Sequence, residues 1–272
     1  LLFSLFALCP ALPVLAQFQQ LLTNGSFETG NFSGWKVSDK GSGSFSISTP
    51  GARTPTVNGF DFATALNAQG GHWYAVCSSD NPGTHALIQD FTVPGTGQII
   101  VSFQMFVNDQ SAVGPIIDPT GLDDTTGGLA QPNDNQHARV DILKAGAADF
   151  STASGDVVKN LYLGADPSTL DGNGNVTAHT YHAYTFDLTS YLKAGQTYRL
   201  RFATVDNLSA LNLGVDNVSL TYLSVIVTHP IPISPILPPP LHSAPLHRSL
   251  MAAPQAARNR STKQRAVRRP YR

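Results

Sequence analysis

From Ile99 to Val107 apolar and polar side chains alternate: Val101, Phe103, Met105 and Val107 fall on one face, Ser102 and Gln104 on the other. A period of two marks a strand with one buried face. The same period places Trp73, Ala75 and Cys77 together, sets Val140 and Ile142 against Arg139 and Asp141, and sets Tyr198, Leu200 and Phe202 against Arg199 and Arg201. No stretch sustains a helical period. Gly (23) and Pro (19) are plentiful and collect with Asn, Asp and Ser between the alternating runs, where they supply turns. About ten short strands bounded by such turns predict an all-β chain folded as a sandwich or jelly roll.

The ends differ from this middle. Residues 1–16 are apolar and finish on Val14-Leu15-Ala16, as the hydrophobic part of a secretory signal does, with small Ala16 at the cleavage position. The missing initiator Met and basic leader imply that this segment is truncated at its start. The run is too short to predict a membrane span. Residues 17–227 carry the strand pattern. From residue 228 the prolines, among them Pro238-Pro239-Pro240, exclude sheet interior, and the stretch to Arg272 lacks apolar periodicity. Residues 228–272 therefore read as a disordered, Pro-rich basic tail. That composition fits a polybasic arm, a spacer, or a frame shift through an anchor; no transmembrane anchor is evident.

Charge is divided the same way. All 18 acidic residues lie between Glu28 and Asp216, against nine basic ones in that span, while eight basic residues and no acid follow from Arg248. An acidic body disfavours nucleic acid as the partner of the folded domain. With Cys9 in the leader, only Cys77 is left to the domain, so neither a disulfide nor a Cys/His zinc framework is expected.

Two motifs bracket the domain. The opening Asn24-Gly25-Ser26-Phe27-Glu28, with Gly34-Trp35, resembles the first motif of bacterial carbohydrate-binding modules of the galactose-binding-like jelly-roll superfamily and of related secreted surface proteins that carry a sorting anchor. Gly214-Val215-Asp216-Asn217-Val218-Ser219-Leu220 is similar to their final strand, and the run from Tyr191 to Phe202 resembles the segment those secreted proteins carry before it. The resemblance implies a jelly-roll β-sandwich, extracellular or at a bacterial cell surface, with a polysaccharide or surface glycan as partner. It also implies a structural Ca²⁺ held by Glu28 and Asp216. Two carboxylates on neighbouring first and last strands would repel unless a cation or proton stood between them. Turn-capping by Glu28 through backbone N–H groups, with local bonding by Asp216, is the alternative. Asp109 and Asp134, flanking a long loop beside Asn108 and Asn135, form a second candidate cation site.

Sugar recognition combines flat aromatic rings with planar hydrogen-bonding side chains. On the predicted outward faces those types are Gln104, Arg139, Asp141, Arg199 and Arg201, with Tyr74, Tyr181 and Tyr184 as platforms. Trp35 and Trp73 fit the core better. No Gly-x-Ser-x-Gly elbow, His-Glu-x-x-His pair, phosphate loop or dinucleotide fingerprint occurs, and nothing selects one carboxylate pair for glycoside hydrolysis, so no enzyme is expected. The sequence leaves the oligomeric state open. A structural cell-surface or matrix protein of the same fold is the competing function, and an uncharacterised hydrolase a third.

Overall fold

The computed structural model describes residues 14–49, 71–79, 81–109, 116–117, 121–125, 134–164, 169–170, 176–177 and 181–227. The leader up to residue 13, the loop over 51–67, the turn at 171–175, most of the 108–135 loop and the basic tail lie outside the described residues. The chain divides into Leu1–His229 and Pro230–Arg272, and the second unit lies wholly outside them.

The described secondary structure is all β. Its strands are β1 (Val14–Gln20), β2 (Lys36–Gly41), β3 (Ser44–Ser48), β4 (Tyr74–Ser79), β5 (Gly83–Thr92), β6 (Gln98–Asp109), β7 (Gln136–Lys144), β8 (Val157–Gly164), the two-residue β9 (Thr169–Leu170) and β10 (Val176–Thr177), β11 (His182–Asp187), β12 (Thr197–Asp206) and β13 (Leu211–Val227). One antiparallel sheet runs β11-β6-β13-β4-β3, with β1 also on β13; a second runs β2-β5-β12-β7-β8. β9 and β10 pair only with each other. The chain passes repeatedly from one sheet to the other, giving a jelly-roll β-sandwich. Among the described residues no helix is long and apolar enough to cross a membrane.

The alternation in β6 has its expected consequence: Val101, Phe103, Met105 and Val107 are buried between the sheets. They meet Leu213, Val215 and Leu220 of β13, Val140 and Ile142 of β7, and Leu200 and Phe202 of β12 in one core. Phe103 and Phe202 meet edge to face, their centroids 5.1 Å apart. Cys77 is buried in the same core, where loss of solvation pushes its thiol up, so it behaves as a small apolar residue.

The opening and closing motifs meet physically. Val218 N–H donates to the Gly25 carbonyl, and Leu21 N–H to that of Leu220. A Cβ at Gly25 would lie 1.8 Å from the Val218 carbonyl oxygen, so glycine is required by this approach. β13 is irregular here: its register against β6 shifts between Asp216 and Ser219, and Asn217 takes a left-handed φ of 49°. Phe27 and Trp35 plug the junction 5.6 Å apart, and the Trp35 indole donates to the Asn24 carbonyl. β1 begins at Val14, inside the segment expected to be leader; Val14, Leu15 and Ala16 pair with Val227, Ile226 and Val225.

Candidate functional site

Arg139, Asp141 and Arg201 do face away from the core, as their alternation implies, but not into solvent. Asp141 and Arg201 are 0% exposed and Arg139 nearly so. The chain between β7 and β8, residues 145–156, folds back over this face. Arg201 donates to the carbonyls of Asp149 and Ser151 at 2.8 and 2.9 Å and to Asp141 at 2.5 Å. Arg139 grips the same carboxylate bidentately at 2.7 and 2.8 Å, and Asn160 adds a bond at 2.9 Å. Burial alone would raise the Asp141 carboxyl; the Arg139 hydrogen bonds and the Arg201 charge outweigh it and hold the group below the usual carboxylate range. Arg199 is likewise engaged, by Asp90, Asp149 and the Ala147 carbonyl. These side chains fasten a covering segment and present no face to a ligand.

Gln104 and Tyr181 belong to the outer face of the first sheet. Asp216 lies opposite Gln104 on neighbouring strands. Tyr181 meets Phe106 and Tyr74 edge to face, with centroids 5.0 and 6.2 Å away. The Tyr74 and Tyr181 hydroxyls and Gln104 Oε1 make no hydrogen bond. Burial, helped by the Asp216 charge, pushes the Tyr181 hydroxyl up. Tyr74 is fully buried, so it offers no platform. Tyr184 turns the other way. β11 sets it opposite Phe103, on which its ring stacks at 5.2 Å, and Tyr162 closes on it edge to face. It belongs to the border of the core.

The residues expected to hold calcium are placed differently from one another. Asp216 is 0% exposed, its Oδ1 accepting from Asn217 N–H at 2.7 Å. Glu28 is exposed, and the residue before it, Phe27, adopts a left-handed φ of 57°. The Glu28 carboxylate accepts from His72 N–H at 2.9 and 3.1 Å and from Trp73 N–H at 2.9 Å. A Cβ on Gly71 would lie 2.2 Å from that carboxyl carbon, so glycine there leaves the room. Two amides thus engage both of its oxygens, the His72 N–H shared between them. The Glu28 contacts are those of the capping alternative. Asp109 is buried and accepts from Gln136 Nε2 at 3.1 Å. Asp134 begins the strand-ward end of the same loop. No group of three His, Cys, Asp or Glu capable of holding a metal occurs among the described residues.

A further surface site lies away from the strand faces that alternation marks. At one end of the second sheet a groove of about 620 Å³ is lined by Lys144, Val158, Tyr191, Lys193, Gln196 and Thr197, with Tyr198 and Ala145 completing it. Tyr191 is 42% exposed, whereas its neighbours Leu188 and Leu192 are buried. Both Tyr191 N–H and Leu192 N–H donate to the Leu188 carbonyl, closing one turn that presents the ring outward. Downstream, Lys193 N–H donates to the Tyr198 hydroxyl at 3.0 Å, and Gly195 N–H to the Val93 carbonyl. The groove wall is therefore fixed before any ligand arrives. Lys159 holds its ammonium 4.8 Å above the Tyr191 ring, within cation–π range. The spacing of Leu188 and Leu192 about Tyr191 is the signal from which this exposure was readable.

No family model matches the chain, and no curated protein matches it. Solved structures do resemble it. A family 61 carbohydrate-binding module in complex with β-1,4-galactotriose shares 14% identity over 76% of this chain and 98% of its own, with a TM-score of 0.40. A cleaved adhesin domain of Lys-gingipain from Porphyromonas gingivalis shares 14% over 75% and 99%, with a TM-score of 0.41. The enzymatically active domain of a tailspike protein from bacteriophage CBA120 shares 11% at a TM-score of 0.39, and this chain spans only 21% of its length. At these scores the likeness gives no residue a role. The solved structures this chain resembles thus include carbohydrate-binding modules and an adhesin domain, each at low identity.

Proposed function

We propose that this chain is a secreted, non-catalytic glycan-binding β-sandwich whose saccharide site is the Tyr191 groove. One observation carries this reading: an exposed aromatic ring is held by a hydrogen-bonded turn in a groove that also offers Gln196, Thr197 and lysine donors. A tyrosine face matches the apolar C–H surface of a sugar, and side-chain donors match its hydroxyls. No carboxylate lines the groove, and glycoside hydrolysis requires two flanking the bond to be cut. Export of the chain is supported by the apolar run over residues 1–16.

The test is retention of the full chain on a panel of immobilised polysaccharides, compared with Tyr191→Ala. At least one polysaccharide is expected to retain the wild-type chain and to release the variant at an unchanged melting midpoint. Uniform silence across the panel removes the glycan reading and favours a structural role at the cell surface.

A further inference from the structure

Eight Lys and Arg side chains fall among the described residues. Five are paired with carboxylates: Lys36 with Asp149, Lys40 with Asp124, Arg139 and Arg201 with Asp141, and Arg199 with Asp90 and Asp149. The other three, Lys144, Lys159 and Lys193, have no carboxylate partner among the described residues; Lys144 and Lys193 line the Tyr191 groove, and Lys159 stands over the Tyr191 ring at its border. Asp156, on the covering segment, is engaged otherwise: it gives its backbone carbonyl to Lys144 N–H and turns its carboxylate to the Ser151 hydroxyl at 2.5 Å. This concentration of unpaired cations stands in a span with twice as many acidic as basic residues.

An exposed lysine costs little when unpaired, so each alone would carry no message. Three converging on a preformed groove create a local positive potential within an acidic body. Such a potential draws in an anionic ligand and disfavours a cationic one. Resting on the glycan-binding reading above, we propose that the groove takes an anionic saccharide chain. Its carboxylate or sulfate groups meet Lys144, Lys159 and Lys193, and the C–H surface of one sugar ring lies on the exposed part of Tyr191. Lys159 already stands beside that ring, so ring contact and charge contact are offered to adjacent parts of one sugar unit.

The experiment is affinity electrophoresis of the full chain in gels carrying polygalacturonate, a sulfated galactan, a neutral galactan or inorganic polyphosphate. Wild type is compared with Lys144→Gln/Lys159→Gln/Lys193→Gln, with the corresponding triple Arg variant, and with Tyr191→Ala. The eight basic residues of the tail are the same in every protein, so differences between variants report the groove. Wild type is expected to be retarded by an acidic glycan, and the two acidic gels separate carboxylate from sulfate as the recognised group. The triple Gln variant should bind about tenfold more weakly, from three exposed charge contacts. The triple Arg variant should keep most of the affinity, and added salt should shrink the difference. Retardation by neutral galactan alone, unaffected by the triple Gln change, overturns the anionic ligand and leaves glycan binding standing. Equal retardation by polyphosphate with no effect of Tyr191→Ala also overturns it, leaving simple ion exchange. No retardation by any glycan brings down the glycan reading itself.

Discussion

Arg139 and Arg201 lie beneath the 145–156 segment with Asp141 between them, while Lys144, Lys159 and Lys193 stand a few residues away with no carboxylate at all. Both sets belong to the second sheet and its flanking turns. Their difference follows from solvation. A cation moved out of water must bring its partners with it, because a lone buried charge costs several kcal/mol. The fold supplies those partners from three directions: Asp141 on the same strand layer, and the Asp149 and Ser151 carbonyls from above. A cation left in water needs none and stays available. Pairing thus separates charges that hold the fold from charges that can greet a ligand.

The sharpest way to break this contrast is Asp141→Ala. The two buried guanidinium groups then lose the carboxylate between them, and unfolding in urea should show a loss of about 3–5 kcal/mol. The triple Lys→Gln change should move the same curve by no more than about 0.5 kcal/mol. A similar loss in both would erase the distinction.

Acid should reach the covered face next. His137 stands beside Arg139 on β7, donates from Nδ1 to the Ile116 carbonyl, and is pushed by burial down to about 4. The unfolded chain takes up this proton first, near the ordinary histidine value of about 6.5. Stability from His137 is therefore complete above that pH and lost as pH falls towards 4, on the order of 2–3 kcal/mol. Urea titrations at pH 7 and pH 4.5 should show the loss, and His137→Gln should remove most of it. Asp141, held below the usual carboxylate range, adds its own loss at lower pH, beginning as the unfolded chain protonates near the ordinary aspartate value of about 3.9 and complete once the folded carboxyl protonates.

On the exposed side, Tyr191→Ala should weaken glycan binding about tenfold, near 1.4 kcal/mol, and shift stability by under about 0.5 kcal/mol. The smallest effect is expected at Glu28. If it caps the His72 and Trp73 amides, Glu28→Gln should cost about 1 kcal/mol, equally in calcium and in EDTA. A melting midpoint that rises with calcium in wild type alone would instead support the cation expected from the opening motif.

The strand faces were largely legible, and what lay over them was not. The period in β12 separates Arg199 and Arg201 from Leu200 and Phe202, as the structure does. Periodicity says which side of a sheet a residue takes; the cover over Arg201 comes from 145–156, which has no period to read. Tyr184 was misplaced for a related reason. Its face is fixed by the register of β11 on β6, a pairing between segments about 80 residues apart. The Glu28 contacts to the His72 and Trp73 amides follow a turn whose left-handed residue, Phe27, is a conformation rare enough outside glycine that no sequence rule favours it. Tyr191 lies in a connection, where strand alternation is silent and only the Leu188 and Leu192 anchors mark the turn.

β13 is the spine of the first sheet, bordered by β6 on one edge and by β4 and then β1 on the other. It is also the last described strand in chain order, and its Val218 closes on Gly25 nearly two hundred residues upstream. During synthesis from the N-terminus, β1, β4 and β6 emerge with open edges and no central partner. Such edges invite pairing with other chains, and contacts this distant in sequence form slowly. The strand that covers the open edges of β1, β4 and β6 in the first sheet is thus the last of them to be synthesised.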